Sequence, residues 1–118
     1  MIITKLKGGL GNQLFQYAAG RALSERHHTG LALDTSFYGT QDWRTYTLDT
    51  FNISATMAPR EDTANTVLLV EKEFSFDRQI LEAGPDTCLE GYWQSEQYFK
   101  DIEPILRTEF TLKDPYSA

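Results

Sequence analysis

The sequence predicts an α/β domain, a mostly parallel sheet with flanking helices. Three observations predict it. The first 34 residues read in order as strand, glycine-rich loop, helix and strand. Two more short apolar runs, at 66–70 and 87–93, have strand character. A second stretch with apolar residues on one helical face follows at 95–108.

The opening unit can be justified residue by residue. Residues 1–6 are apolar-rich and predict a strand at 2–6. Gly8, Gly9 and Gly11 then remove side chains where the backbone turns from strand to helix. Such a loop can bring backbone N–H groups close to an anion or a sugar nucleotide, with the helix N-terminus behind it. Asn12 reads as the N-cap, and the helix is expected over 13–28. Leu14, Ala18 and Ala22, joined by Phe15, Ala19 and Leu23, form its apolar stripe. Gly20 inside that helix allows close packing. Arg26, His27 and His28 suit the negative end of the dipole as surface residues, and Gly30 reads as the C-cap glycine. The run LALD then predicts a strand at 31–33 that ends in the carboxylate of Asp34.

The middle of the chain is less regular. Residues 35–44 are polar and aromatic without a sustained period and read as a loop, and 45–51 read as a short extended piece. Residues 57–65, with Pro59 and mixed charges, read as a connection or short helix. Strands are expected at 67–70 and 88–92, with a helical turn near 76–81 and a turn at Gly84-Pro85-Asp86 between them. Ser95 reads as the N-cap of a helix over 95–107, with Pro104 marking a kink or break. Residues 115–118 read as a loose tail.

Composition bounds the functions available. The chain has 118 residues, enough for one domain with a core of modest size. A formal net charge of −6 and the lack of a basic cluster argue against a nucleic-acid surface. The single cysteine, Cys88, excludes an internal disulfide and reads as a buried small hydrophobe. No apolar run approaches the ~20 residues of a membrane span. With the first strand starting at Met1 or Ile2, no signal peptide is expected.

Two readings of the glycine-rich unit compete. A dinucleotide-binding loop needs G-x-G-x-x-G after the first strand and an acidic residue after the second. Gly9 and Gly11 supply two glycines and Asp34 stands near the ribose carboxylate position, but Leu14 occupies the third glycine's place. No Gly-Lys-Ser/Thr follows, which excludes a Walker A loop. On the other reading, GGLGNQLFQYAAGRAL, residues 8–23, resembles the N-terminal signature of the α-1,2-fucosyltransferases of glycosyltransferase family 11. LALDTSFY and YTLDTFNI, at 31–38 and 46–53, look like that family's second strand and following loop. LEGYWQSEQYFKDIEPILRTEF, at 89–110, is similar to its GYWQSEKYF strand–helix segment.

The resemblance implies a GT-B-like enzyme of two Rossmann-like halves. It would transfer L-fucose from GDP-fucose to a sugar hydroxyl with inversion, using no metal and no cofactor. The family's other half carries a His-x-Arg-Arg-x-Asp string that grips the donor diphosphate. The six arginines here, Arg21, Arg26, Arg44, Arg60, Arg78 and Arg107, include no adjacent pair. Residues 1–118 therefore read as an incomplete N-terminal, acceptor-side Rossmann-like domain, lacking the donor-binding C-terminal domain and inactive alone. The expected partners are a sugar nucleotide, a glycan acceptor and that missing domain. The expected setting is the cytoplasm of a bacterium, or the periphery of its inner membrane. A stand-alone nucleotide-binding module and a non-catalytic sugar-binding remnant are the alternatives.

The resemblance also raises candidate site residues. Gly9, Gly11, Asn12, Gln13 and Gln94 are the candidates for substrate binding. Asn12 reads both as a helix cap and as an amide able to reach a sugar or phosphate. Gln13, in the first helical turn, is equally open to a structural reading, and Trp93 and Tyr98 read as core aromatics. Inverting transfer calls for a group that takes the acceptor hydroxyl's proton. Asp34 and Glu96 are the carboxylates nearest the expected strand ends, although Asp34 can equally cap a turn with Thr35 and Ser36. If fucose leaves early as an oxocarbenium-like ion, Asn12 would suffice to orient the hydroxyl.

Overall fold

Five parallel strands form a single sheet in a computed structural model that describes residues 1–39, 48–58, 65–72 and 75–114. The strands are β1 (Ile2–Lys5), β2 (Leu31–Asp34), β3 (Thr56–Met57), β4 (Val67–Val70) and β5 (Thr87–Glu90), in spatial order β3-β2-β1-β5-β4. Helix α1 (Leu10–Arg26) joins β1 to β2, and the short helix α2 (Glu103–Glu109) follows β5. The fold is thus the α/β, Rossmann-like arrangement of a parallel sheet with flanking helices.

The pleat divides the strands between two faces. Ile2, Leu31, Leu33 and Leu89 point into the main core, where they meet Tyr17, Ala18 and Leu23 of α1 and Trp93, Tyr98, Ile102 and Leu106 from the segment after β5. Ile3, Ala32 and Cys88 are paired in register across three strands and form a second, smaller cluster with Ala58. Cys88 is the buried hydrophobe expected, and burial pushes its thiol pKa up, away from nucleophile chemistry. Gly20 lets α1 lie directly on the sheet: a Cβ there would sit 3.0–3.2 Å from Leu31 and Thr4 side-chain atoms.

Several boundaries differ from expectation. Helix α1 begins at Leu10, with Gly9 as an N-cap that has no side chain to contribute, so Asn12 stands in the first turn and is not the cap. The cause is Gly8, whose φ of +80° turns the chain early enough for helical geometry to start at Leu10. At the other end, His27 is the C-cap and His28 takes the left-handed position with φ of 51°, so Gly30 is not the cap glycine. The His28 and Thr29 N–H groups donate to the Glu25 and Ser24 carbonyls, the pattern of a Schellman ending.

The expected helix at 95–107 is broken. Ser95 does cap a turn, accepting from the Gln97 N–H at 3.3 Å, but that turn is 3-10 and covers Glu96–Tyr98. A second 3-10 turn, Lys100–Ile102, leads into α2, with Pro104 in its first turn, where no N–H is missed. The two-residue strand β3 was not expected. Readings that fall on 40–47, 59–64, 73–74 and 115–118 lie outside the described residues.

A buried polar cluster ties α2 to α1. The Tyr17 hydroxyl donates to Glu109 Oε1 at 2.5 Å and accepts from the Ser54 N–H at 2.8 Å. Arg21 Nε approaches both Glu109 oxygens at 3.1 and 3.2 Å. Burial, together with the bond to Glu109, raises the Tyr17 pKa well above its ordinary value of 10.0.

Two outcomes are expected. Gly20→Val places new methyl groups against β1 and β2 and should lower stability by about 2 kcal/mol, read as a shift of the urea midpoint at constant slope. An unchanged midpoint would show that α1 does not need this close approach. Because the folded-state pKa of Tyr17 is raised, its contribution is intact below about pH 10 and is lost above it, at up to ~1.4 kcal/mol per pH unit. Urea midpoints measured on either side of pH 10 should show this slope in the wild type and a flatter one in Tyr17→Phe.

Candidate functional site

The strand order places one crevice at the centre of the molecule. From β1 the chain moves to β2 and β3 on one side, while β4 and β5 lie on the other. The C-terminal ends of β1 and β5 are thus the point where loops diverge, the usual ligand position in open α/β sheets. The loop at 6–9 leaves β1 there, and the loop at 91–95 leaves β5 beside it.

Side-chain amides hold these two loops together. Gln16 is fully buried; its Oε1 accepts from the Lys7 N–H at 3.0 Å and its Nε2 donates to the Gly91 carbonyl at 3.1 Å. Gln13, also fully buried, donates to the Gly8 carbonyl at 3.2 Å, and the Tyr38 hydroxyl donates to the same carbonyl at 2.8 Å. A Cβ at Gly8 would lie 2.5 Å from Asn12 Nδ2, so the turn and the Asn12 amide fit only because residue 8 has no side chain.

On that platform two expected site residues meet. Gln94 Nε2 donates to Asn12 Oδ1 at 2.7 Å, across 82 residues of sequence. The pair is at the surface: Asn12 is half-buried and Gln94 exposed. Asn12 Nδ2, a donor, and Gln94 Oε1, an acceptor, hydrogen-bond no described residue. A Cβ at Gly9 or Gly11 would meet nothing within 4 Å, so space stays open over the start of α1. The first bond along the helix runs from the Gln13 N–H to the Gly9 carbonyl, which leaves the N–H groups of Leu10, Gly11 and Asn12 outside the helical ladder. The arrangement offers backbone donors, an amide donor and an amide acceptor side by side.

The other candidates fall elsewhere. Gln13 is turned into the protein, where it secures the Gly8 turn. Asp34 Oδ1 accepts from the Ser36 N–H at 3.0 Å, the turn-capping role. Asp34 lies at the end of β2, paired in register with Lys5, one strand away from the crevice. Glu96 is exposed two residues beyond Gln94. Trp93 and Tyr98 are core residues, packed edge to face with ring centres 5.6 Å apart. His27 and His28 sit at the far end of α1, and His27 Nε2 lies 2.6 Å from the Ala83 carbonyl. Among the described residues no group of three or more His, Cys, Asp and Glu could hold a metal ion.

Sequence reasoning missed Gln16, Tyr38 and Glu71, and it placed Gly8 in the turn without separating it from Gly9 and Gly11. One signal was readable for Gln16: a long amide four residues after Asn12 shares its helix face, so both reach the same neighbouring loop. Tyr38 and Glu71 act over long sequence separations and carry no local signal. Glu71 Oε1 and Oε2 accept from the Tyr92 and Trp93 N–H groups at 3.0 and 3.2 Å. Trp93 there has φ of 56°, a geometry that costs a non-glycine residue roughly 1–2 kcal/mol.

No family model matches the chain, and no solved structure matches it. The chain is similar to an alpha-1,2-colitosyltransferase of Escherichia coli, with 30% identity over 135 aligned positions. The alignment covers 94% of this chain and 45% of that relative, so the chain spans less than half the relative's length. The similarity relates the chain, at a coarse level, to glycosyltransferases.

Gln16→Leu tests the platform. It strands the part-buried Lys7 N–H and the buried Gly91 carbonyl, and the buried orphan should cost about 1–3 kcal/mol. A thermal melt and amide exchange at Lys7 read the effect. Exchange at wild-type rates with an unchanged melt would mean the two loops hold without this amide.

Proposed function

We propose that this chain is the N-terminal, acceptor-side half of an inverting α-1,2-glycosyltransferase, and that Asn12 and Gln94 hold the acceptor hydroxyl. One observation carries the reading: the two most distinctive strings, Gly-Asn-Gln and Gly-Tyr-Trp-Gln-Ser, meet through the Asn12–Gln94 bond at the crevice between β1 and β5. A sugar hydroxyl is both donor and acceptor. It can accept from Asn12 Nδ2 and donate to Gln94 Oε1, which fixes its lone pair toward an incoming anomeric carbon. The free N–H groups at the start of α1 suit negative charge on the departing diphosphate.

The donor in this reading is GDP-fucose, as the family resemblance implies, and no cofactor takes part. The main grip on the diphosphate comes from a C-terminal half, because three of the four described arginines are paired away from the crevice, while Arg78 lines a hollow with Glu71, Asp77 and Trp93. Arg21 is paired with Glu25 and Glu109, Arg26 with the Leu81 carbonyl, and Arg107 with Glu103. With Asp34 committed to its turn, the acceptor proton leaves late, to solvent or to a weak base, after the sugar has begun to depart as a cation. A second reading, in which the sugar transferred is colitose, is favoured by the name of the E. coli relative. The proposed setting is the bacterial cytoplasm or the inner-membrane surface; among the described residues no helix is long and apolar enough to cross a membrane.

The test has two parts. Lactose added to the isotopically labelled chain should move the resonances of Gly9, Gly11, Asn12 and Gln94, and NAD should not. The reverse pattern would favour a dinucleotide-binding module. In a chain that contains both halves, Asn12→Ala should slow transfer roughly a hundredfold. Because Asn12 is in the first helical turn, Asn12→Asp places a carboxylate where the dipole favours it and should fold normally. It should still fail, since it has lost the Nδ2 donor and faces a diphosphate. Near-normal turnover by Asn12→Asp would reduce Asn12 to a structural tie. Assays with both sugar donors separate the two readings, and the 118-residue chain alone is expected to show no turnover.

A further inference from the structure

The Asn12–Gln94 pair depends on where the loop after β5 puts Gln94. We infer that Glu71 is the positioning residue of this site: from the end of β4 it clamps the backbone of the β5 loop and so sets Gln94 against Asn12. The inference rests on the reading of that pair as the hydroxyl-binding group.

Three observations converge on Glu71. Its two carboxylate oxygens accept from consecutive N–H groups, Tyr92 at 3.0 Å and Trp93 at 3.2 Å. Those groups immediately precede Gln94, and Trp93 is held with φ of 56°. A left-handed residue reverses the chain direction: Trp93 goes inward to full burial while Gln94 emerges at the surface. Without a fixed acceptor, an extended conformation at Trp93 is the cheaper one.

The lever is short. The Glu71 N–H donates to the Glu90 carbonyl at 2.9 Å, so the clamp is anchored to the same strand whose loop it holds. Gly91 makes the approach possible, since a Cβ there would sit 2.5 Å from the Glu71 Cβ and 3.0 Å from the Trp93 indole. The clamp also complements Gln16. Gln16 fixes the Gly91 carbonyl from the α1 side, and Glu71 fixes the next two N–H groups from the β4 side. Together they leave Gln94 as the first residue of the loop free to turn toward Asn12.

The experiment is performed first without ligand, on the labelled 118-residue chain. Glu71→Gln keeps shape but presents an amide N–H to one of the two backbone donors. Amide exchange at Tyr92 or Trp93, whichever faces the amide N–H, should rise about tenfold or more, the loss of one hydrogen bond. The Gln94 side-chain amide resonances should move toward those seen in Asn12→Ala, where their acceptor is gone. Glu90→Gln, which removes a neighbouring carboxylate paired with Lys5, should leave Gln94 unmoved. Faster exchange at Tyr92 or Trp93 with unchanged Gln94 resonances would overturn the inference, because the clamp would then be structural only. If Glu71→Gln does not fold, Glu71→Asp, with its carboxylate drawn back by one methylene, is read in the same way. Failure of both variants to fold would also overturn it. The lactose titration of the wild type separately decides the hydroxyl-binding reading, so either idea can fail alone.

Discussion

One buried amide governs the C-terminal edge of the sheet. Gln16 sits inside the main packing layer with no solvent contact, yet both ends of its amide are hydrogen-bonded to backbone. A group so placed tolerates little displacement, since moving either loop would leave a polar atom unpaired in an apolar surround. Gln16 thereby fixes the distance between the loops after β1 and β5. The Gly8 turn, the Asn12–Gln94 bond and the Trp93 reversal are all built on that distance. Gln13 and Tyr38 reinforce it by satisfying the Gly8 carbonyl from two directions.

Away from this edge the packing is mainly apolar, and α1 is its organiser. Its sheet-facing side combines Tyr17, Ala18, Ala19 and Leu23 with the notch at Gly20. The small residues bring the helix axis close to β1 and β2. Tyr17 works twice: its ring packs against Phe110, with centres 5.6 Å apart, and its hydroxyl joins the Glu109 and Ser54 contacts. The segment after β5 is thus held at both ends, by Gln94 on Asn12 and by Glu109 on Tyr17 and Arg21.

What the sequence made legible follows from what is local. The apolar runs of β1, β2, β4 and β5 are determined within a few residues, and these strands lie where expected; of the stripe expected on α1, Ala18, Ala19 and Leu23 are buried, whereas Leu14, Phe15 and Ala22 are half-buried and Gln13, Gln16, Tyr17, Gly20 and Ser24 share the buried face. The helix ends were not legible, because each is set by one residue with positive φ: Gly8 among three nearby glycines at the start, and His28 where Gly30 looked the better choice. The stretch at 95–107 has helical periodicity, yet Phe99 at φ of −137° interrupts it between two 3-10 turns whose Tyr98 and Ile102 both reach the main core. The geometry of the candidate site was half legible. Asn12 and Gln94 could be named from their strings, but that they touch depends on β5 lying beside β1. Glu71 was invisible because its role is to hold backbone N–H groups that no sequence pattern marks.

The pairing of β1 with β5 also fixes an order of events in time. Ile3 aligns with Cys88 and Thr4 with Leu89, whereas β1 and β2 are separated only by α1. A chain emerging at about 5–20 residues per second therefore exposes one edge of β1 for roughly 4–17 s before its neighbour exists. During that interval the N-terminal βαβ unit carries the unpaired amides and carbonyls that invite misdirected strand addition. Closing so long a loop is also an entropic burden that slows the search for the native register. The last part of the sheet to form is then the crevice itself, so pairing competence at β5 gates the meeting of Asn12 and Gln94 during synthesis.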